Sequence, residues 1–77
     1  MKRCKFASST IASAGYDPIR TILEVEFVQG GEVLQYENVP EDIWYLFKDH
    51  FLPDAFFNKL IKGRYNERSI ISIEHVI

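Results

Sequence analysis

The sequence predicts an α+β domain: a small antiparallel sheet of three to four strands with two short helices, in the order β, ββ, αα, β. Three observations carry this. Leu23, Val25 and Phe27 alternate with Glu24 and Glu26, the period-two pattern of a strand with one dry and one wet face. Gly30-Gly31 separates that run from a second β-like run, as in a hairpin. Downstream, Ile43, Leu46, Phe47, His50 and Phe51 recur at helical spacing.

Taken in order, Thr10 to Ala14 is a short β-like segment, and Gly15-Tyr16-Asp17-Pro18 carries turn chemistry. Thr21 to Val28 is the clearest strand. Ile22 and Val28 are apolar on its wet face, which implies partial cover there. Glu32 to Tyr36 is the return strand, and only one of the adjacent Val33 and Leu34 can face the core. Pro40-Glu41-Asp42 suits a helix start, because proline fits the first turn and acids fit the positive end of the helix dipole. Pro53 ends that helix and Asp54 is placed to cap the next, whose apolar face is Phe56, Phe57, Leu60 and Ile61. Gly63 stands where a left-handed stop is expected. Ile70 to Val76 reads as a final strand.

The 77 residues suffice for one domain, 1–77, with one modest core; residues 1–7 form a basic leading segment and 71–77 a hydrophobic extension. Hydrophobic residues make up 47% and charged residues 26%, ordinary values for a globular chain. A small core and an apolar terminal strand point to a homo-oligomer. Cys4 is the only cysteine, so no internal disulfide can form, which fits a reducing compartment. The start is basic but leads into no apolar run, and no stretch approaches a membrane span. The expectation is a cytoplasmic protein with no membrane partner.

Net charge is −2 with a pI near 5.6, which offers no general basic surface for duplex nucleic acid. The charges are nevertheless segregated. Acids fill residues 24–49, whereas Lys59, Lys62, Arg64 and Arg68 cluster late. A local anion site is therefore expected: Arg64 and Arg68 forking onto phosphate oxygens, Lys62 adding a point charge, and Tyr65 donating or stacking. Ser8 and Ser9 would add hydroxyl donors if the first strand lies nearby.

Other chemistry is poorly supported. Cys4 reads as an inconsequential thiol in a frayed terminus. His50 and His75 lack metal-ligand spacing, so no metal or cofactor is expected. Glu24 and Glu26 serve solubility rather than acid–base catalysis, and Gly30-Gly31 lacks the helix and Lys-Ser/Thr of a phosphate loop. Most phenylalanines belong to the core, while Trp44 or Tyr45 falls off the helical stripe and is a candidate stacking surface. The chain does not read as an enzyme.

Ser8-Ser9-x-Ile11, Gly15-Tyr16-Asp17, Leu23-x-Val25-x-Phe27, Gly31, Tyr36-x-x-Val39-Pro40 and Phe57-Asn58-x-x-Ile61-x-Gly63-x-Tyr65 together resemble the KTSC domain. The resemblance spans Ser8 to Ile70. It implies a stand-alone relative of the C-terminal extension of some lysyl-tRNA synthetases, with no established catalysis and a suggested link to RNA. The family's central Tyr-x-Tyr reads Leu34-Gln35-Tyr36 here, so Tyr36 alone is kept, and Asn58 lies within the matched second-helix motif. The function expected is non-catalytic capture of a small phosphate-bearing ligand, a nucleotide or signalling nucleotide, by an oligomeric sequestering (counter-defence) protein. An RNA-binding accessory domain and a structural assembly module are the alternatives.

Overall fold

A computed structural model describes residues 2–70. The sheet has five strands rather than three or four: β1 (Arg3–Lys5), β2 (Ile11–Asp17), β3 (Ile22–Phe27), β4 (Val33–Glu37) and β5 (Asn66–Ile70). They run antiparallel in the order β1-β2-β3-β4-β5. Between β4 and β5 the chain forms α1 (Glu41–Asp49) and α2 (Pro53–Phe56), the latter widening into a π-helical turn over Phe57–Ile61.

The hairpin of β3 and β4 is where the alternation placed it. Leu23 faces Tyr36 and Val25 faces Leu34 across the pair, and Gly30 and Gly31 both take positive φ in the turn. Leu34 packs against the core, while Val33 lies on the opposite face. The β2–β3 register shifts between Ile11 and Ser13. The extra residue puts Ile11 and Ala14, three positions apart, on one buried face.

The expected boundaries need five corrections. β1 occupies the segment taken as frayed, and Cys4 in it pairs with Ala14 while remaining exposed. Tyr16 and Asp17 belong to β2, and the turn lies at 18–21, closed by Asp17 Oδ1 accepting from the backbone N–H groups of Ile19 and Arg20. α1 stops at Asp49, ahead of Pro53, because His50 is already extended. Asp54 is inside the first turn of α2, and Leu52 holds the cap position with Pro53 first in the helix. The last described strand is Asn66–Ile70, not a strand beginning at Ile70; residues 71–76 of the expected strand lie outside the described residues.

The core lies between one face of the sheet and the helices. Ile11, Leu23, Val25, Val39, Phe47 and Ile61 are fully buried. Phe47 is its hub, with ring centroids 4.8 Å from Phe6, 6.5 Å from Trp44, 5.8 Å from Phe56 and 6.3 Å from Phe57. Trp44, rather than Leu46 or Phe51, turns inward and stacks on Tyr16 at 6.0 Å. Tyr16 in turn donates to the Val39 carbonyl at 2.5 Å. Leu46 and Phe51 are exposed, so the buried arc of α1 is rotated from the expected stripe.

The other face of the sheet is open and carries a polar network beside the apolar Ile22, Val33 and Ile70. Arg3 on β1 reaches Glu24 on β3 through two nitrogens and Glu26 at 3.1 Å. These strands are two spacings apart, about 10 Å. Gly15 stands between Arg3 and Glu24 in register and has no side chain to obstruct the span. Ser13 Oγ donates to Glu26 at 2.8 Å and Gln35 Nε2 to Glu24 at 2.8 Å. Burial raises the Glu24 pKa, but hydrogen bonds from Gln35 and Arg3 and the Arg3 charge outweigh it and hold the carboxyl below the usual glutamate range.

Candidate cleft between the sheet and the second helical segment

The Lys62-Gly63-Arg64 segment forms a tight turn. Lys62 is extended (φ −65°, ψ 126°), Gly63 has φ +79°, and Arg64 N donates to the Ile61 carbonyl at 3.1 Å. These are type II turn values, and a positive φ at the third position requires glycine. Gly63 therefore serves a four-residue turn after a π-helical ending, in which Lys62 N donates to the Phe57 carbonyl at 2.8 Å. It does not close a Schellman stop.

This geometry disperses the expected cluster of bases. Arg64 folds back and donates from Nε to the Lys59 carbonyl at 3.2 Å. Arg68, on the open face, pairs with Glu37 at 2.6 Å. Tyr65 is half-buried against the core. Lys62 alone reaches a concave site.

That site is a cleft of about 340 Å³ between β2, β3, β4, β5 and the helical segment. Its floor is apolar and aromatic: Ile11, Phe27, Leu34, Tyr36 and Phe57. Phe57 is held edge-on to Phe27 at 5.6 Å and to Tyr36 at 5.7 Å. Tyr36 is 1% exposed, so its ring is a wall of the core rather than a free stacking platform. Asn58 and Lys62 stand on the rim together with Thr10, Glu32, Asp54 and Glu67. Among the described residues, three carboxylates thus oppose one ammonium. Burial raises the Tyr36 phenol pKa, and the carboxylates of Glu67, its cross-strand partner, and then Glu32 raise it further.

Ser8 has a structural task beside the cleft. Its hydroxyl donates to Asp54 and accepts from the backbone N–H groups of Thr10 and Ile11 at 3.0 and 2.9 Å, tying the start of β2 to α2. Ser9 lies in an adjoining depression of about 420 Å³ with Thr10, Phe27, Gln29 and Glu32. Of the eight residues expected to bind ligand, the cleft collects Tyr36, Asn58 and Lys62, with Ser8 behind Asp54. Arg64, Tyr65, Arg68 and Ser9 are not on it.

The residues missed include Phe27, Glu32, Leu34, Asp54, Phe57 and Glu67. Phe27 and Phe57 read as core, and Leu34 stood open against Val33. Glu67 lay among bases in a segment with no apolar alternation, and its partner Tyr36 is remote in sequence. On the open face of the sheet no aromatic residue occurs among the described residues, and Arg3 and Arg68 are both paired with acids. Tyr45 is half-exposed on α1, with Lys48 Nζ 5.2 Å above its ring. Among the described residues no three His, Cys, Asp or Glu side chains converge as metal ligands, and no helix is long and apolar enough to cross a membrane.

Comparison with known proteins matches residues 7–65 to the family model described as the KTSC domain. The chain is 37% identical over 65 residues to an uncharacterized protein of Stutzerimonas stutzeri, covering 84% of this chain and 90% of that protein. It is 38% identical over 61 residues to a protein of Tsukamurella paurometabola, covering 75% and 85% respectively. Among solved structures it is similar to a KTSC domain protein from Yersinia pestis, with a TM-score of 0.86, 37% identity, and coverage of 91% of this chain and 97% of that one.

Proposed function

The chain belongs to the KTSC domain family, and from that premise we propose that it is a non-catalytic binding domain that takes one small organic ligand into the cleft. The observation that carries this reading is the shape and lining of the cleft. A volume of about 340 Å³ over an aromatic floor, with polar groups on the rim, is the usual build of a small-molecule site. The floor supplies apolar contact, and the rim fixes orientation.

Lys62 and Asn58 on one rim favour a phosphate-bearing ligand, a nucleotide or signalling nucleotide, as a second reading. A base would lie on Phe57 and Phe27, and the phosphate would meet Lys62. With Arg64 and Arg68 engaged elsewhere, Lys62 is the one base at the cleft among the described residues, so this reading takes a single phosphate group rather than a polyphosphate.

Calorimetry and protein-observed NMR with a panel of nucleosides, nucleoside monophosphates and single-stranded RNA test both. Saturable binding that shifts the Phe57 and Leu34 resonances is expected. Loss of nucleoside monophosphate binding in Lys62→Ala, with nucleoside binding kept, supports the phosphate reading. RNA binding that leaves those resonances unmoved would place recognition away from the cleft and overturn the proposal.

A further inference from the structure

Charge decides which ligands a half-open cleft admits, and here it opposes the sequence expectation. Asp54 already accepts a hydrogen bond from Ser8. Glu32 and Glu67 form no ion pair among the described residues. Glu32, just ahead of β4, and Glu67, on β5, both line the cleft and both act on the Tyr36 phenol. Lys62, on its exposed turn, is the only base facing them across the cleft among the described residues. Beneath these acids lie the rings of Phe27, Tyr36 and Phe57, fixed edge-to-face about Phe57. Aromatic faces attract cations and repel anions through their quadrupole, and carboxylates reinforce the preference.

We infer that the cleft selects an organic cation: an ammonium or guanidinium group whose apolar body lies on Phe27, Leu34 and Phe57 and whose charge meets Glu32 and Glu67. The inference rests on the cleft reading above and gives it a ligand class. It does not rest on the acids alone, since the enclosing volume and the ring arrangement are independent of them. A phosphate placed there would meet three carboxylates, Glu32, Asp54 and Glu67, for its one ammonium.

Three probes share one apolar body and differ only in charge: benzylamine, benzyl alcohol and benzyl phosphate. Titrated by NMR at low salt, benzylamine is expected to bind about fivefold tighter than benzyl alcohol, and benzyl phosphate weakest. Glu67→Gln and Glu32→Gln, both at exposed positions, should each reduce the benzylamine preference about threefold and leave benzyl alcohol unchanged.

Lys62→Ala gives a sign test: it should strengthen benzylamine and, on the phosphate reading, would weaken benzyl phosphate. Leu34→Trp fills the cleft and should abolish binding of every probe. Equal binding of amine and alcohol, or tightest binding of the phosphate, overturns the cation inference and leaves the cleft reading standing. No binding by any probe, or binding that survives Leu34→Trp, overturns both.

Discussion

The two faces of the sheet are built from the same strands and do opposite things. The helix-side face is closed by aromatic packing around Phe47 and opens at the cleft. The far face is bound by charge, through Arg3, Glu24, Glu26, Ser13 and Gln35, with Arg68 and Glu37 further along. Burial of apolar surface is worth far more than solvent-exposed pairing. Stability should therefore reside almost wholly on one side. The other side mainly secures an edge: β1 is only three exposed residues long, and Arg3 anchors it to the strand beyond its neighbour.

Substitutions can break that contrast. The largest effect is expected for Phe47→Ala, which removes a fully buried ring in contact with four others and should cost about 3–5 kcal/mol in denaturant unfolding. For a domain this small that is much of the total stability. Tyr16→Phe keeps the stack on Trp44 but strands the buried Val39 carbonyl, for a loss of about 1–3 kcal/mol by the same measurement. A Tyr16→Phe loss smaller than that of Arg3→Ala would contradict the division between the faces.

Arg3→Ala should cost about 0.5–1 kcal/mol, falling with added salt, and should speed hydrogen exchange in β1 and the facing edge of β2. Its acid dependence has a definite sign. The folded-state pKa of Glu24 is depressed, so its contribution is present above the usual glutamate range and is lost as pH falls through the depressed value. Acid unfolding of Arg3→Ala and Gln35→Ala should consequently show a weaker loss across that window than the parent chain. Smallest of all, Phe51→Ser, at a residue 84% exposed, should change stability by less than about 0.5 kcal/mol. A larger loss there would show that the exposed apolar knob is covered in solution.

The sequence made the β3–β4 hairpin and the start of α1 plain, because each is governed by local rules: alternation, Gly-Gly turn freedom, and proline with acids at a helix N-terminus. It concealed β1 and β5 for the converse reason. Arg3-Cys4-Lys5 and Asn66-Glu67-Arg68 have no apolar period, and they become strands only because β2 and β4 offer edges distant in sequence. Tyr16 was hidden by the turn residues flanking it. The inward side of α1 turned on whether Trp44 or Leu46 met the sheet, which is settled by Tyr16, a residue on another element.

The same locality explains the site. The basic run at 62–68 looked unified because its partners, the Lys59 carbonyl and Glu37, cannot be read from spacing. The acids that do face the cleft come from 32, 54 and 67, three places that only the fold brings together.

The strand order has a kinetic corollary. β1, β2 and β3 each pair with the next strand through short connections, so those hairpins can zip as soon as their residues are available. β5 can join β4 only by closing the whole loop of residues 38–65, helices included, against its conformational entropy. That loop carries Asp54, Phe57, Asn58 and Lys62, and β5 carries Glu67, so closure brings these to a floor already holding Ile11, Phe27, Leu34 and Tyr36. The cleft thus comes into being with the final folding event. Any occupant is linked by mass action to the docking of β5, and a bound ligand should slow exchange of the β5 amides far more than those of the β2–β3 hairpin.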